Sequence, residues 1–390
     1  MNGRRMSTVA AAVVATATLV AAATAGSEAT TAGGSYKVVG TWGKPGTGNG
    51  QFLGNALGVA TARNGDVYVA DSDSKRVQRF SGTGAFKGTI RIGDDFVPDV
   101  AVDADGNVWA TADTAAEARR YAPDGRSLGS VTTPKQALGI GADTEGNIYV
   151  ATSSDDVHIV VRYDKSGDDY VQGKSFGGFQ APGDVEVAAD GTIWATDSTT
   201  LMVKRFDANG KLLKTIKAGP AGPIGIGVDL DCNLWVTDIA KRRLDRFSPS
   251  GKLLGTASSP DLIAQDVAVG PRGDVYAYDN GTHSVIHLAE DRSKPATANI
   301  PGALTATKGV VKIPYTLSGV ACPTVVPATA TLIGPGISGK AAGLQLKAGA
   351  RNTISMRLTK AASGKATFKI VLKTNGRPTT ETRGLTLTAR

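Results

Sequence analysis

Asp99, Asp184 and Asp266 each stand seven residues ahead of a turn signature that recurs along the chain, and the three remaining copies place Gly58, Gly139 and Gly225 there. Glycine and aspartate alternate strictly, so the carboxylates fall on every second repeat. Like charges brought together repel unless a cation or a donor lies between them. One reading is therefore a polar ligand or a divalent cation such as calcium, with Asp99, Asp184 and Asp266 as candidate metal ligands. The other is that each carboxylate accepts backbone N–H groups at the head of a buried strand. The residues alone leave both open. Glu186 lies two positions beyond Asp184, on the same side of its strand, where the other repeats carry Ala or Gly. It either fills a gap or marks a site. Asp71, Asp197, Asp238 and Asp279 close the following strand on the same side and add acidity to one rim.

The elements that must position these acids are short strands. The signature reads Gly65-Asp66-Val67-Tyr68, Gly106-Asn107-Val108-Trp109, Gly146-Asn147-Ile148-Tyr149, Gly191-Thr192-Ile193-Trp194, Cys232-Asn233-Leu234-Trp235 and Gly273-Asp274-Val275-Tyr276. Its steps are 41, 40, 45, 41 and 41 residues. A β-branched strand a, such as Val100-Ala101-Val102, turns at a glycine that accepts positive φ and enters strand b with its aromatic. Strand c ends in Arg79-Phe80, Arg120-Tyr121, Arg162-Tyr163, Arg205-Phe206, Arg246-Phe247 or His287-Leu288, and a second turn such as Asp207-Ala208-Asn209-Gly210 opens strand d. Four antiparallel strands per repeat is one propeller blade, and a closed ring of six leaves no long open edge. The last repeat lacks strand d. Tyr36 to Gly43 has the pattern of one, so it is expected to complete the sixth blade.

These residues, with Gly46-x-Gly48-x-Gly50-Gln51-Phe52, resemble NHL repeats over roughly residues 36–290. The resemblance implies an all-β, six-bladed propeller of the NHL or TolB-like type. It implies little about function, since relatives of this propeller include RNA-binding platforms, protein scaffolds, lyases and lactonase-like hydrolases. Gluconolactonase-like relatives place a Glu and Asp/Asn cation site in the channel. Here Glu186 with the aspartate trio is the candidate, and the early Glu of that pattern is missing from the first strand a. A histidine-rich zinc site, as in the streptogramin-lyase relatives, is not expected: the chain has 3 histidines, and His283 and His287 lie ~13 Å apart along a strand.

The row of strand c arginines would suit an RNA-binding ring, but a repeated Arg within a blade more often lays its stem on a neighbour and pairs with an Asp. The aromatic row Tyr68, Trp109, Tyr149, Trp194, Trp235 and Tyr276 reads as packing between blades.

Arg4, Arg5, the apolar stretch from Val9 to Ala23 and Ala23-Thr24-Ala25 have the order of a secretory signal. Residues 1–25 are expected to be that signal, 26–35 a linker, 36–293 the propeller and 294–390 a second domain. Charge divides along the same line. Residues 26–293 hold 27 basic against 34 acidic side chains, whereas 294–390 hold 14 basic ones against the single Glu381. Alternating segments such as Thr367-Phe368-Lys369-Ile370-Val371-Leu372 predict a basic immunoglobulin-like β-sandwich. In an exported protein its charge points to an anionic cell-wall or membrane surface rather than nucleic acid. Cys232 replaces the turn glycine of the fifth repeat and Cys322 lies in the C-terminal domain; the two either bridge, as paired cysteines in an exported chain do, or are unrelated, with Cys322 a small buried hydrophobe.

Taken together, the sequence predicts a secreted, monomeric, non-catalytic protein that binds a protein, glycan or small-molecule ligand around its channel mouth. A cation-dependent hydrolase or lyase is the alternative.

Overall fold

The computed structural model describes residues 28–29, 36–218, 224–229, 232–258, 262–290 and, of the C-terminal part, 297–299, 303–307, 310–318, 325–335, 337–347, 351–360, 364–374 and 377–389. The secretory signal expected in residues 1–25 and most of the linker lie outside them. No α-helix occurs among the described residues, and none is long and apolar enough to cross a membrane.

Residues 36–290 form six antiparallel sheets. The first, Val59–Thr61, Val67–Asp71, Arg76–Phe80 and Phe86–Arg91, sets the pattern, and the signature heads the second strand of each. Those second strands are buried at every residue in the first, second, fourth, fifth and sixth sheets, because a neighbouring sheet covers either face. Apolar clusters fill each seam between successive sheets. One joins the first sheet to the second through Tyr68, Val77, Val100 and Val108, and the last joins the sixth to the first through Phe80, Val67, Tyr276 and Val285. The same holds for the seams in between. The inner strands likewise neighbour one another in sequence order, and Ala264–Val269 lies beside Val59–Thr61. This is the radial arrangement of a β-propeller.

The last sheet takes its outer strand from the other end of the chain. Tyr36–Trp42 pairs antiparallel with Ser284–Glu290, Tyr36 opposite Glu290 and Trp42 opposite Val285. Burying Tyr36 edge-on against Trp235, 4.7 Å between ring centres, fixes that strand to the fifth sheet as well.

The 45-residue step of the third repeat has a local cause. Its outer hairpin, His158–Ser166 with Asp169–Phe176, is longer than its counterparts and turns at Gly167, φ 65°. The extra length carries Tyr170 onto Trp109 of the second sheet, 4.7 Å away, and lets Arg120 donate to the carbonyl of Asp168 at 2.8 Å.

The C-terminal strands form one eight-stranded sheet in which two groups are each joined by long registers. Val310–Ser318 pairs with Arg351–Lys360 and with Thr297–Asn299. The second group runs Ile337–Lys347, Val325–Gly334, Gly364–Thr374, Arg377–Ala389 and Ala303–Thr307, the last pair parallel. Short registers at Ala306–Thr307 with Val310–Val311, and at Ser338–Gly339 with Leu358 and Lys360, link the two. Buried Val311, Ile313, Ile354 and Met356 alternate with exposed Lys312, Ser355 and Arg357, buried Ala330 and Leu332 flank half-buried Thr331, and buried Ile370 follows exposed Lys369.

Candidate channel site

The heads of the inner strands bring Asp99, Asp184 and Asp266 together, and the seams explain the alternation with glycine. Asp99 Oδ1 accepts the amide of Val100 in its own strand at 2.7 Å, while Oδ2 accepts Ile140 of the next sheet at 2.8 Å. Asp184 does the same with Val185 at 2.6 Å and Ile226 at 2.7 Å. Asp266 does so with Val267 at 2.7 Å and Val59 at 2.6 Å. Each aspartate thereby stitches the second, fourth or sixth sheet to its successor.

Glycine serves the intervening seams by absence of a side chain. A Cβ on Gly58 would stand 2.7 Å from the Cα of Asp99, one on Gly139 2.5 Å from the Cα of Asp184, and one on Gly225 2.4 Å from the Cα of Asp266. The alternation is therefore a packing rule, with a carboxylate bridge across one seam and bare backbone contact across the next.

The stitching leaves three carboxyls close enough to act on one another's charge. Burial, then the charges of Asp184 and Asp266, hold Asp99 well above the usual carboxylate range. Burial and Asp184 do the same to Asp266. Asp184 is raised to about 6 by burial, against bonds from the amides of Ile226 and Val185 and from the other two carboxyls, which favour its charged form. The group relieves its repulsion by sharing protons. Among the described residues no cluster of three or more His, Cys, Asp or Glu side chains is arranged to hold a metal ion.

Asp71, Asp197, Asp238 and Asp279 are all buried and spent on the fold. Asp71 pairs with Arg76 at 2.7 Å, accepts Gln78 Nε2 at 3.1 Å and caps the amide of Leu53. Asp197 accepts the amides of Gln180 and Ala181 and pairs with Lys204 at 2.6 Å. Burial pushes Asp197 up, but Lys204 and those amides outweigh it and hold it low. Asp279 accepts the amide of Ile263 at 2.8 Å and the hydroxyl of Thr282 at 2.7 Å. Asp238 accepts the amide of Lys241 at 3.1 Å and lies 3.4 Å from its ammonium. In the first, fourth and sixth sheets the rim aspartate thus ties down the loop that leads into the inner strand. The sequence marked these acids by position, but their cationic partners Arg76 and Lys204 carry no periodic signal and went unmarked.

Glu186 stands apart. It follows Asp184 by two residues, at a position where the other inner strands carry Ala60, Ala101, Gly141, Gly227 and Ala268. Among the described residues its carboxyl has the amide of Val187 as its hydrogen-bond partner, and it lies near enough to Asp266 to raise that group. Burial and the charge of Asp184 lift it to about 8. Both Glu186 and Asp184 are part-exposed.

The arginine row is built into the blades. Arg79 lies over Tyr68, Arg120 over Trp109, Arg162 over Tyr149, Arg205 over Trp194 and Arg246 over Trp235. Four of them also pair with an aspartate: Arg79 with Asp66 at 2.5 Å, Arg162 with Asp164 at 2.5 Å, Arg205 with Asp190 at 2.8 Å and Arg246 with Asp229 at 2.5 Å. In the sixth sheet His287 stacks on Tyr276, ring centres 4.6 Å apart.

Cys232 is buried and disulfide-bonded. Its backbone has φ 56°, in a turn where the other repeats place glycines with φ between 77° and 92°. The candidate partner, Cys322, lies outside the described residues.

Residues 53–80 match the NHL repeat family. The sequence matches none of the curated proteins. Among solved structures the chain is similar to the hydrazine synthase of Kuenenia stuttgartiensis, at 12% identity and TM-score 0.51, over 62% of this chain and 97% of that one. It is similar to a gluconolactonase from Xanthomonas campestris at 15% identity and TM-score 0.50, over 66% and 90%. A virginiamycin B lyase from Staphylococcus aureus aligns at 18% identity and TM-score 0.48, over 68% and 92%. At such identities the likeness is one of fold, that of a β-propeller.

Proposed function

We propose that this chain is an exported, non-catalytic binding protein. It comprises a six-bladed propeller that receives a cationic group of its ligand at Glu186, and a basic immunoglobulin-like sandwich in residues 294–390 that holds the molecule at an anionic surface. The carrying observation is the contrast between Glu186 and the seven aspartates Asp71, Asp99, Asp184, Asp197, Asp238, Asp266 and Asp279. Those seven are engaged by amides or cations of the fold, whereas Glu186 has the single amide of Val187 and no cation beside it among the described residues. The acidic balance of the propeller favours a basic ligand group at the mouth.

One observation favours the alternative of a cation-dependent hydrolase or lyase. A channel carboxyl held at about 8 is protonated at neutral pH and suited to general acid or base chemistry.

Calorimetric titration of the protein with calcium chloride and with an arginine dipeptide, in two buffers of different ionisation enthalpy, tests the site. Cation binding at Glu186 must expel its proton, so at pH 7 uptake of either probe should release close to one proton, and Glu186→Gln should abolish the release. Binding that persists unchanged in that variant would remove Glu186 from the site. Turnover of lactones that is lost in Glu186→Gln would decide for the enzyme.

A further inference from the structure

We infer that the anionic partner of the C-terminal domain is a linear acidic polysaccharide, and that it lies on the outer face of the strands Val325–Gly334, Ile337–Lys347 and Gly364–Thr374. This rests on the attachment reading above and names the face and the partner.

The register defines the face. Thr331 pairs with Lys340 on one side and Lys369 on the other, so the three side chains share a row across three strands. Ile333 pairs with Ser338 and Thr367 in the next row, and Lys365 pairs with Thr386 beyond it. Lys340, Lys365, Thr367, Lys369 and Thr386 are exposed, whereas the alternate residues Ala330, Leu332 and Ile370 are buried. The face thus points to solvent.

Its cations are unspent: Lys340, Lys365 and Lys369 have no ion-pair partner among the described residues. Two strand spacings put Lys340 and Lys369 ~9.5 Å apart, and four residues along one strand put Lys365 and Lys369 ~13 Å apart.

The chemistry of the face selects the partner. Cations at such spacing meet one charge every repeat unit or two of an extended polymer, and the hydroxyls of Thr331, Thr367 and Thr386 between them offer donors and acceptors to sugar hydroxyls. The described side chains of the face include no aromatic ring on which bases or neutral sugars would stack. Their one exposed apolar side chain, Ile333, is too little to enter a bilayer. Lysine presents a point charge on a flexible stem rather than a bidentate fork, which suits single anionic groups spaced along a chain.

Two variants of the full-length protein that remove equal charge separate the face from net charge. Lys340→Gln with Lys369→Gln alters the row, whereas Lys312→Gln with Arg357→Gln alters two exposed cations of the other group of strands. Binding is measured to immobilised polygalacturonate, to neutral dextran and to phosphatidylglycerol vesicles. The first variant should lose roughly tenfold or more in affinity for the polyuronate while the second stays within about threefold of the parent, with no binding to dextran. Equal losses in both variants would overturn the face while leaving anionic attachment standing. Tighter binding to vesicles than to the polyuronate would overturn the polysaccharide. A parent protein that binds no anionic probe removes the attachment reading and this inference together.

Discussion

The carboxylate of Asp266 accepts the amide of Val59 at 2.6 Å, across 207 residues of chain, and so carries the end of the repeat array to its beginning. Losing it leaves a buried amide without a partner, which costs about 1–3 kcal/mol. Asp266→Ala should lower the urea midpoint accordingly. Asp99→Ala and Asp184→Ala should match it, since each makes the same pair of bonds to its own strand and to the next sheet. A silent Asp266→Ala beside two destabilised siblings would show that the first and last sheets are held together by other means.

The seams closed by glycine should be equally sensitive to added bulk. A Cβ on Gly139 would approach the carbonyl oxygen of Gly183, which is backbone and cannot step aside. Gly139→Ala is expected to cost about 1–3 kcal/mol. Gly88→Ala, at a strand position with nothing within 4 Å of the added atom, is the control and should be close to neutral in the same denaturation assay.

Protonation in the channel gives stability an unusual slope. Glu186 goes from an ordinary 4.5 to about 8, and Asp184 from 3.8 to about 6. Between those limits the folded chain holds more protons than the unfolded chain, so stability falls as pH rises from about 4.5 to 8. Glu186→Gln removes a charge that is poorly tolerated above that window. It should raise the melting temperature at pH 8.5 more than at pH 5 and flatten the profile between. A variant whose profile parallels that of the parent would refute the raised value.

Removing the outer strand of the last sheet should expose an edge. Deleting Tyr36–Trp42 takes away the ladder on the outer edge of Ser284–Glu290, which keeps only its pairing with Val275–Asp279, and leaves a ready template for aggregation. Light scattering and the melting temperature report this. Tyr36→Ala is the milder probe: it keeps the strand and empties the contact with Trp235, for a loss of about 3 kcal/mol.

The strand pattern and this N-terminal pairing were legible in the sequence because they depend on period and on one missing element. The aspartates were legible as positions and not as bonds. A 41-residue spacing shows that Asp99 and Asp184 are equivalent, but the second acceptor of each lies in another repeat, and seam partners leave no periodic mark. Asp71 and Asp197 misled in the same way, since their neutralising Arg76 and Lys204 occur at different strand positions in different repeats. Glu186 was visible because it breaks a row of small residues, and such a departure survives in sequence where a hydrogen bond does not.

The turn at Cys232 supplies a further test. A side chain in a left-handed conformation is strained where five glycines are not, so this cysteine is kept for its bond. If Cys322 is the partner, the loop closed spans about 90 residues and the bond adds ~4 kcal/mol in the chain-entropy account. Peptide mapping without reductant should recover Cys232 linked to Cys322, and reduction should lower the melting temperature by several degrees. Two alkylated thiols in the unreduced sample would contradict the pairing.

Alternating aspartate and glycine also restricts how such a chain can grow or shrink. An aspartate must look forward to a glycine-headed neighbour, and a glycine must receive the backbone of an aspartate-headed one. Excising or duplicating a single repeat would set two carboxylates, or two bare backbones, side by side at the new junction. The heritable unit is therefore a pair of repeats, and parity is conserved: rings descended from this one by whole-repeat gain or loss should count their repeats in even numbers.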